Sequence, residues 1–213
     1  MNVRDIMTSN VVTIPSNTSI ADAKRIMEAH RFRRLPVVDK GKLVGIVTER
    51  KLESVSPSKA TSLTVWELSY LLNKTSVKEI MERHVVTISP DMTAEEATAL
   101  AQSNKVGSMV VIEDDRVVGI VTTNDFFYKI INPLLGLGQP GSRVEISGGG
   151  EGKALEEIIS VANNLGLEIT TLHIEHLPET TKKDLCVHIN SDIASKLVTE
   201  LKKRKYKVDL RKR

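Results

Sequence analysis

Residues 3–16 read VRDIMTSNVVTIPS and residues 77–90 read VKEIMERHVVTISP, so the chain repeats itself at an offset of 74. The register runs on without a gap. Gly45-Ile46-Val47-Thr48 falls on Gly119-Ile120-Val121-Thr122, and Leu35-Pro36-Val37-Val38 falls on Met109-Val110-Val111-Ile112. Such self-similarity specifies two copies of one supersecondary unit. A unit of about 50 residues makes a marginal core alone, so two copies gain by packing sheet against sheet.

Within each copy the β-branched runs Val11–Ile14 and Val85–Ile88 predict short strands. Ser19, with Asp22 three residues on, predicts a capped helix whose inner face carries Ile20, Ala23 and Met27; the second copy has Ala94, Ala97 and Ala101 there. Leu35–Val38 and Leu43–Val47 flank the turn Asp39-Lys40-Gly41-Lys42, matched by Glu113-Asp114-Asp115-Arg116. These apolar runs are nearly continuous, which predicts a sheet covered on both faces. Between the copies, Ser54-Val55-Ser56-Pro57-Ser58 precedes a helical stretch with Trp66, Leu68, Leu71 and Leu72, where Trp66 is expected to pack.

The pattern V-x-[DE]-I-M, then VVTI, then LPVVD-x-G-x-LVGIVT closely resembles the CBS domain, a family whose members occur in pairs. Residues 1–54 resemble the first copy and 75–135 the second, with 55–74 as connecting helix and linker. Residues 136–142, rich in Gly and Pro, read as a linker.

Beyond it the expected order is strand Arg143–Ser147, helix Ala154–Asn164 closed by Gly166, strands Leu167–Glu175 and Leu185–Ile189, helix Ser191–Lys205 and strand Tyr206–Leu210. Leu155, Ile158, Ile159 and Ala162 on the first helix, and Ile193, Leu197, Val198 and Leu201 on the second, are expected to face inward. A βαββαβ order over 143–213 resembles the ACT domain, a ferredoxin-like ligand-sensing module. The layout, joined through Gln139-Pro140-Gly141-Ser142, resembles the acetoin utilisation AcuB type. The expected fold class is α+β (mixed α/β): a CBS pair followed by a ferredoxin-like βαββαβ, ACT-like domain. At the turn where that family holds amino acids, Gly148–Leu155 keeps Ala154-Leu155 but lacks the family's acid and proline. A dimerisation role, a flexible turn or an anion cradle of glycine N–H groups are the other readings.

Asp125 lies three residues after Thr122, one turn into a helix, where a carboxylate can accept from both hydroxyls of a ribose. The Thr122 hydroxyl and the helix N-terminal amides suit phosphate, although the same residues can simply cap the helix. The run Gly119–Asp125, with Ile120 and Asn124 in it, resembles the CBS signature Gly-x-x-Thr/Ser-x-x-Asp. That resemblance implies an adenine nucleotide of AMP, ADP or ATP type bound between the modules, completed by Ile14, Pro15, Phe32, Arg33 and Arg34. The arginines supply charge-assisted contacts to phosphate. In the first copy Lys51 stands where the aspartate belongs, and lysine accepts no hydrogen bond. The second site, with Thr48, Arg50, Lys51, Ile88, Val106, Gly107 and Ser108, is therefore expected to be empty or to bind an anion.

The remaining features read as bland. A formal charge of +3, from 30 Lys+Arg against 27 Asp+Glu, does not point to nucleic acid or membrane. The basic segment Lys202–Lys205 and Arg211–Arg213 lacks interleaved aromatics, so it reads as a solvated helix end and edge strand, with nucleic-acid binding the rival reading. No signal peptide and no apolar run of about 18 residues is evident, and the expected location is cytoplasmic. His30, His84, His173, His176 and His188 show no ligand spacing with each other or with Cys186, which is expected in a packed core. No catalytic motif converges, so the expectation is a regulatory protein and not an enzyme. It needs no cofactor or metal and works as a homodimer with a downstream protein partner. An amino-acid sensor acting through the C-terminal domain is the alternative.

Overall fold

The computed structural model describes residues 1–55, 64–138, 140–176, 182–190 and 193–212. Ser56-Pro57-Ser58, Gln139, Ser191, Arg213 and the Leu68 side chain lie outside the described residues. The chain forms two compact units, Met1–Phe126 and Phe127–Arg213. Among the described residues no helix is long and apolar enough to cross a membrane.

The first unit runs α1 (Val3–Ile6), α2 (Ile20–His30), β1 (Arg34–Asp39), β2 (Lys42–Thr48), α3 (Glu49–Val55), α4 (Val65–Lys74), β3 (Thr87–Ile88), α5 (Ala94–Ser103), β4 (Ser108–Glu113), β5 (Arg116–Thr122) and α6 (Thr123–Phe126). Ser19 caps α2 by accepting from the Asp22 N–H at 3.0 Å. Both hairpins turn on two residues of positive φ, Lys40 and Gly41 in one and Asp114 and Asp115 in the other. Tight two-residue turns require that conformation, which glycine adopts freely and aspartate more readily than most other side chains.

The predicted strands before α2 and α5 are shorter than expected. Only Ile14 pairs in the first copy, in a parallel bridge with Val37, and the second keeps only Thr87–Ile88 beside β4. Val11, Val12, Val85 and Val86 stay outside any ladder and are half-buried.

Leu35, Val37 and Val47 from the first hairpin meet Ile20, Ala23 and Met27 of α2 in one core. Apart from Ala23, each of these side chains contributes about 1.5–3 kcal/mol when taken out of water. Ile46, Val110 and Ile120 form a smaller core shared by the copies. The two halves also exchange backbone bridges in symmetric pairs: Thr8 with Ile120 and Glu82 with Ile46, Asn2 with Thr93 and Ser76 with Ser19. Each is the other shifted by 74. Trp66, expected to pack, instead stands 86% exposed. The helix spends Leu72 on the first copy's core and turns its indole outward.

The second unit opens with a π-helical turn, Phe127–Ile131, and α7 (Asn132–Leu134). Then follow β6 (Ser142–Ile146), α8 (Gly152–Asn164), β7 (Ile169–His176), β8 (Lys183–Ile189), α9 (Ala194–Lys203) and β9 (Val208–Lys212), in an antiparallel sheet of order β7-β8-β6-β9. Val144, Ile146, Leu185, Val187 and Ile189 pack on Ile158, Val161, Ala162, Leu197 and Leu201 of the helices. Strand alternation sends Arg143, Glu145, Cys186 and His188 to the other face. Cys186 is thus buried, but outside the apolar core where it was expected. Ile193, expected to face inward, precedes α9 as its cap and is 47% exposed.

Candidate functional site

The left-handed Arg31, at φ 56°, ends α2 and turns Phe32, Arg33 and Arg34 toward the second copy. They meet Ile120 and Thr122 at the end of β5, and Asn124 and Asp125 in α6, around a cleft of about 390 Å³. That size suits a small-molecule ligand. Thr8, Asn10, Val11, Val12 and Arg31 complete the lining.

Asp125 is only 9% exposed. Its carboxylate accepts from the Thr122 N–H at 2.8 Å and the Thr122 hydroxyl at 2.7 Å, while the Thr8 hydroxyl donates to its other oxygen at 3.5 Å. The capping role is therefore real. A carboxylate has about four lone-pair directions, so the bonds from Thr122 and Thr8 do not by themselves bar a ligand. Arg33 lies 3.6 Å from Glu49 at the surface, and Phe32 stacks on His30 at 5.4 Å. Burial first, and the neighbouring Arg33 charge second, lower the Arg34 pKa.

Of the residues singled out in the sequence, Ile120, Thr122, Asn124, Asp125, Phe32, Arg33 and Arg34 line this cleft; Ile14 and Pro15 do not. Ile14 pairs with β1 and is 3% exposed in the first core, and Pro15, next to it, is exposed away from the cleft. The missed residues Thr8, Asn10, Val11 and Val12 lie just before them. No sequence signal marks them: Val11 and Val12 read as strand residues, and only the strand's stopping short at Ile14 leaves them to the cleft.

A second cleft of about 540 Å³ is lined by Ile46, Thr48, Arg50, Lys51, Glu82, His84, Val85, Val86, Lys105, Val106, Gly107 and Ser108, with Ile80, Met81 and Arg34. Shifting the first cleft's lining by 74 reproduces this one, Asn10 onto His84, Asn124 onto Arg50 and Asp125 onto Lys51. Ile88, expected here, is buried beside β4 instead. Arg34 lines both clefts, its guanidinium 3.1 Å from where a Gly107 Cβ would stand. Arg34, Arg50, Lys51 and Lys105 against Glu82 make this cleft strongly cationic.

In the second unit the glycine turn is not an open anion cradle. The Gly148 N–H donates to Asp184, the Gly149 N–H to the Ile146 carbonyl and the Gly150 N–H to the Lys183 carbonyl.

The CBS domain model matches residues 3–56 and 77–132, just over half the chain. The L-aspartate semialdehyde sulfurtransferase of Methanocaldococcus jannaschii is 34% identical over 127 residues, 58% of this chain but 22% of that enzyme, so the chain spans about a fifth of its length. A Vibrio cholerae protein described as acetoin utilization protein AcuB is 33% identical, with a TM-score of 0.53 over 64% of this chain and 94% of that one. CBSX2, solved in complex with AMP, is 27% identical, with a TM-score of 0.50 over 62% of this chain and 97% of that one.

Proposed function

Because the chain belongs to the CBS-domain family, we propose that it is a regulatory sensor, not an enzyme, that takes an adenine nucleotide in the cleft between its two copies. The observation that carries this reading is the meeting of Thr122, Asn124 and Asp125 with Arg31–Arg34 around one cavity. Asp125 takes the ribose hydroxyls, the arginines take phosphate, and Val11, Val12 and Ile120 supply an apolar slot for the base. The AMP bound by the similar CBSX2 supports the choice of ligand class. The cationic second cleft, with Lys51 in the aspartate's place, holds an anion without ribose selectivity.

Nucleotide binding shifts the packing of the two copies only as far as its affinity differs between their arrangements. A protein partner reads that shift. We assign the modules to 1–54 and 75–135, joined by 55–74. Residues 143–213, after the linker 136–142, form a ferredoxin-like, ACT-like domain, a reading supported by the strand order β7-β8-β6-β9. A homodimer suits the exposed Trp66, Tyr70 and Leu71 of α4. A nucleic-acid role fits less well, since Lys203, Arg204 and Arg211 already pair with Glu200, Glu157 and Glu145.

Calorimetric titration of AMP, ADP and ATP into the wild type and Asp125→Ala tests the assignment. Binding that weakens in the variant supports it. Equal affinities in the two proteins end the ribose role.

A further inference from the structure

We infer that His173, Cys186 and His188 form a metal site on the C-terminal sheet, of a chemistry that takes zinc or a similar borderline-soft divalent ion. The three residues are far apart in kind from the nucleotide clefts and belong to the second unit alone.

The placement follows from strand geometry. Cys186 and His188 alternate onto one face of β8, and His173 is the residue of β7 directly opposite Cys186. One donor atom from each of the three lies within 4.8 Å of the others, and Cys186 Sγ is 3.8 Å from His188 Nε2. A tetrahedral ion with bonds of about 2.0–2.3 Å holds its ligand atoms roughly 3.5 Å apart, so small side-chain rotations close the set. Cys186 and His188 are buried, at 1% and 5% exposure.

A second observation points the same way. Glu175 lies 3.0 Å from His173 Nε2, which makes Nε2 the N–H position and Nδ1 the lone pair. That Nδ1 is buried with no hydrogen-bond partner. A carboxylate holding the outer N–H of a histidine whose other nitrogen is left over is the usual support of a metal ligand. Arg143 stands beside the Cys186 thiol, but its charge and that of Arg211, 3.6 Å from Glu145, are balanced by Glu145 at 2.8 Å and Glu175 at 2.9 Å from Arg143. On binding, the ion takes the place of the thiol proton of Cys186, which leaves to solvent. Water fills the fourth position.

Reduced, chelator-treated full-length protein is titrated with Co(II) and, in competition with a chelating dye, with Zn(II). The expected result is one equivalent per chain with a thiolate-to-cobalt charge-transfer band, which Zn(II) bleaches. Cys186→Ser abolishes the band. His173→Gln, at a partly exposed position less exposed to misfolding, weakens Zn(II) binding, and Glu175→Gln weakens it about 10–100-fold. His176→Asn leaves it unchanged. No charge-transfer band in the wild type, a band that survives in Cys186→Ser, or unaltered Zn(II) affinity in His173→Gln overturns the site.

Discussion

Asp125 and Lys51 hold the same place in two clefts of one protein, 74 residues apart and opposite in charge. Around them Thr122 and Thr48 are equivalent: Thr122 donates to the Asp125 carboxylate, whereas the Thr48 hydroxyl accepts from the Lys51 N–H at 3.2 Å. In the proposed function this acidic acceptor is what separates a cleft that selects ribose from one that does not. Lys51→Asp is expected to add a second nucleotide equivalent per chain, while Asp125→Asn, which keeps most of the cap, lowers affinity about 10–100-fold. Calorimetric stoichiometry checks both, and a count that stays at one in Lys51→Asp shows that the carboxylate is not what separates the clefts.

Arg33 is largely exposed and pairs with Glu49, so its replacement leaves the core intact and reads only its proposed contact with phosphate. Arg33→Ala should weaken AMP by about tenfold and leave adenosine unchanged. The AMP advantage over adenosine should also shrink as salt rises. Parallel titrations of the two ligands give the answer, and an equal loss for both would place Arg33 elsewhere than at the phosphate.

The repeat made the two-copy architecture legible, since a register of 74 that holds through Gly119-Ile120-Val121-Thr122 leaves little choice of unit. The pairing of Thr122 with Asp125, at a strand end and a helix start, was legible because local spacing alone sets it. Asn10, Val11 and Val12 were not, because their role depends on the strand stopping short at Ile14, which tertiary packing decides. His173 and Cys186 are 13 positions apart and meet only through the β7–β8 register, so no ligand spacing shows in the sequence. Trp66 misled for the opposite reason: helical periodicity says which residues share a face, not whether anything covers it.

Asp39 gives a pH-dependent contribution in the first copy. The Ser16 hydroxyl, then the Ser16 N–H at 2.9 Å, hold its pKa below the usual 3.8. A folded-state pKa below the unfolded one gives stability that is present above about pH 4 and is lost as pH falls through the depressed value. Asp39→Asn should therefore lower the urea midpoint at pH 6 and converge with the wild type as pH falls below the depressed pKa. A difference between the two that does not shrink with acid would show that the carboxylate charge is not involved.

The last prediction concerns the seam between the copies. A Cβ on Gly119 would stand 2.5 Å from the Met7 sulfur, and one on Gly45 would stand 2.7 Å from the Met81 sulfur and 2.8 Å from the Glu82 carbonyl. Each copy's methionine thus fills the space that the other copy's glycine leaves, which ties the start of one repeat to the hairpin of its partner. Gly119→Ala is expected to cost about 1–3 kcal/mol, the usual range for overpacking, and Gly45→Ala more, because a carbonyl yields less readily than a thioether. Met7→Ala combined with Gly119→Ala should cost less than the sum of the two singles, since the smaller side chain removes the clash. Denaturant unfolding of the four proteins measures this coupling. Strict additivity would mean that the contact between Met7 and Gly119 does not hold the copies together.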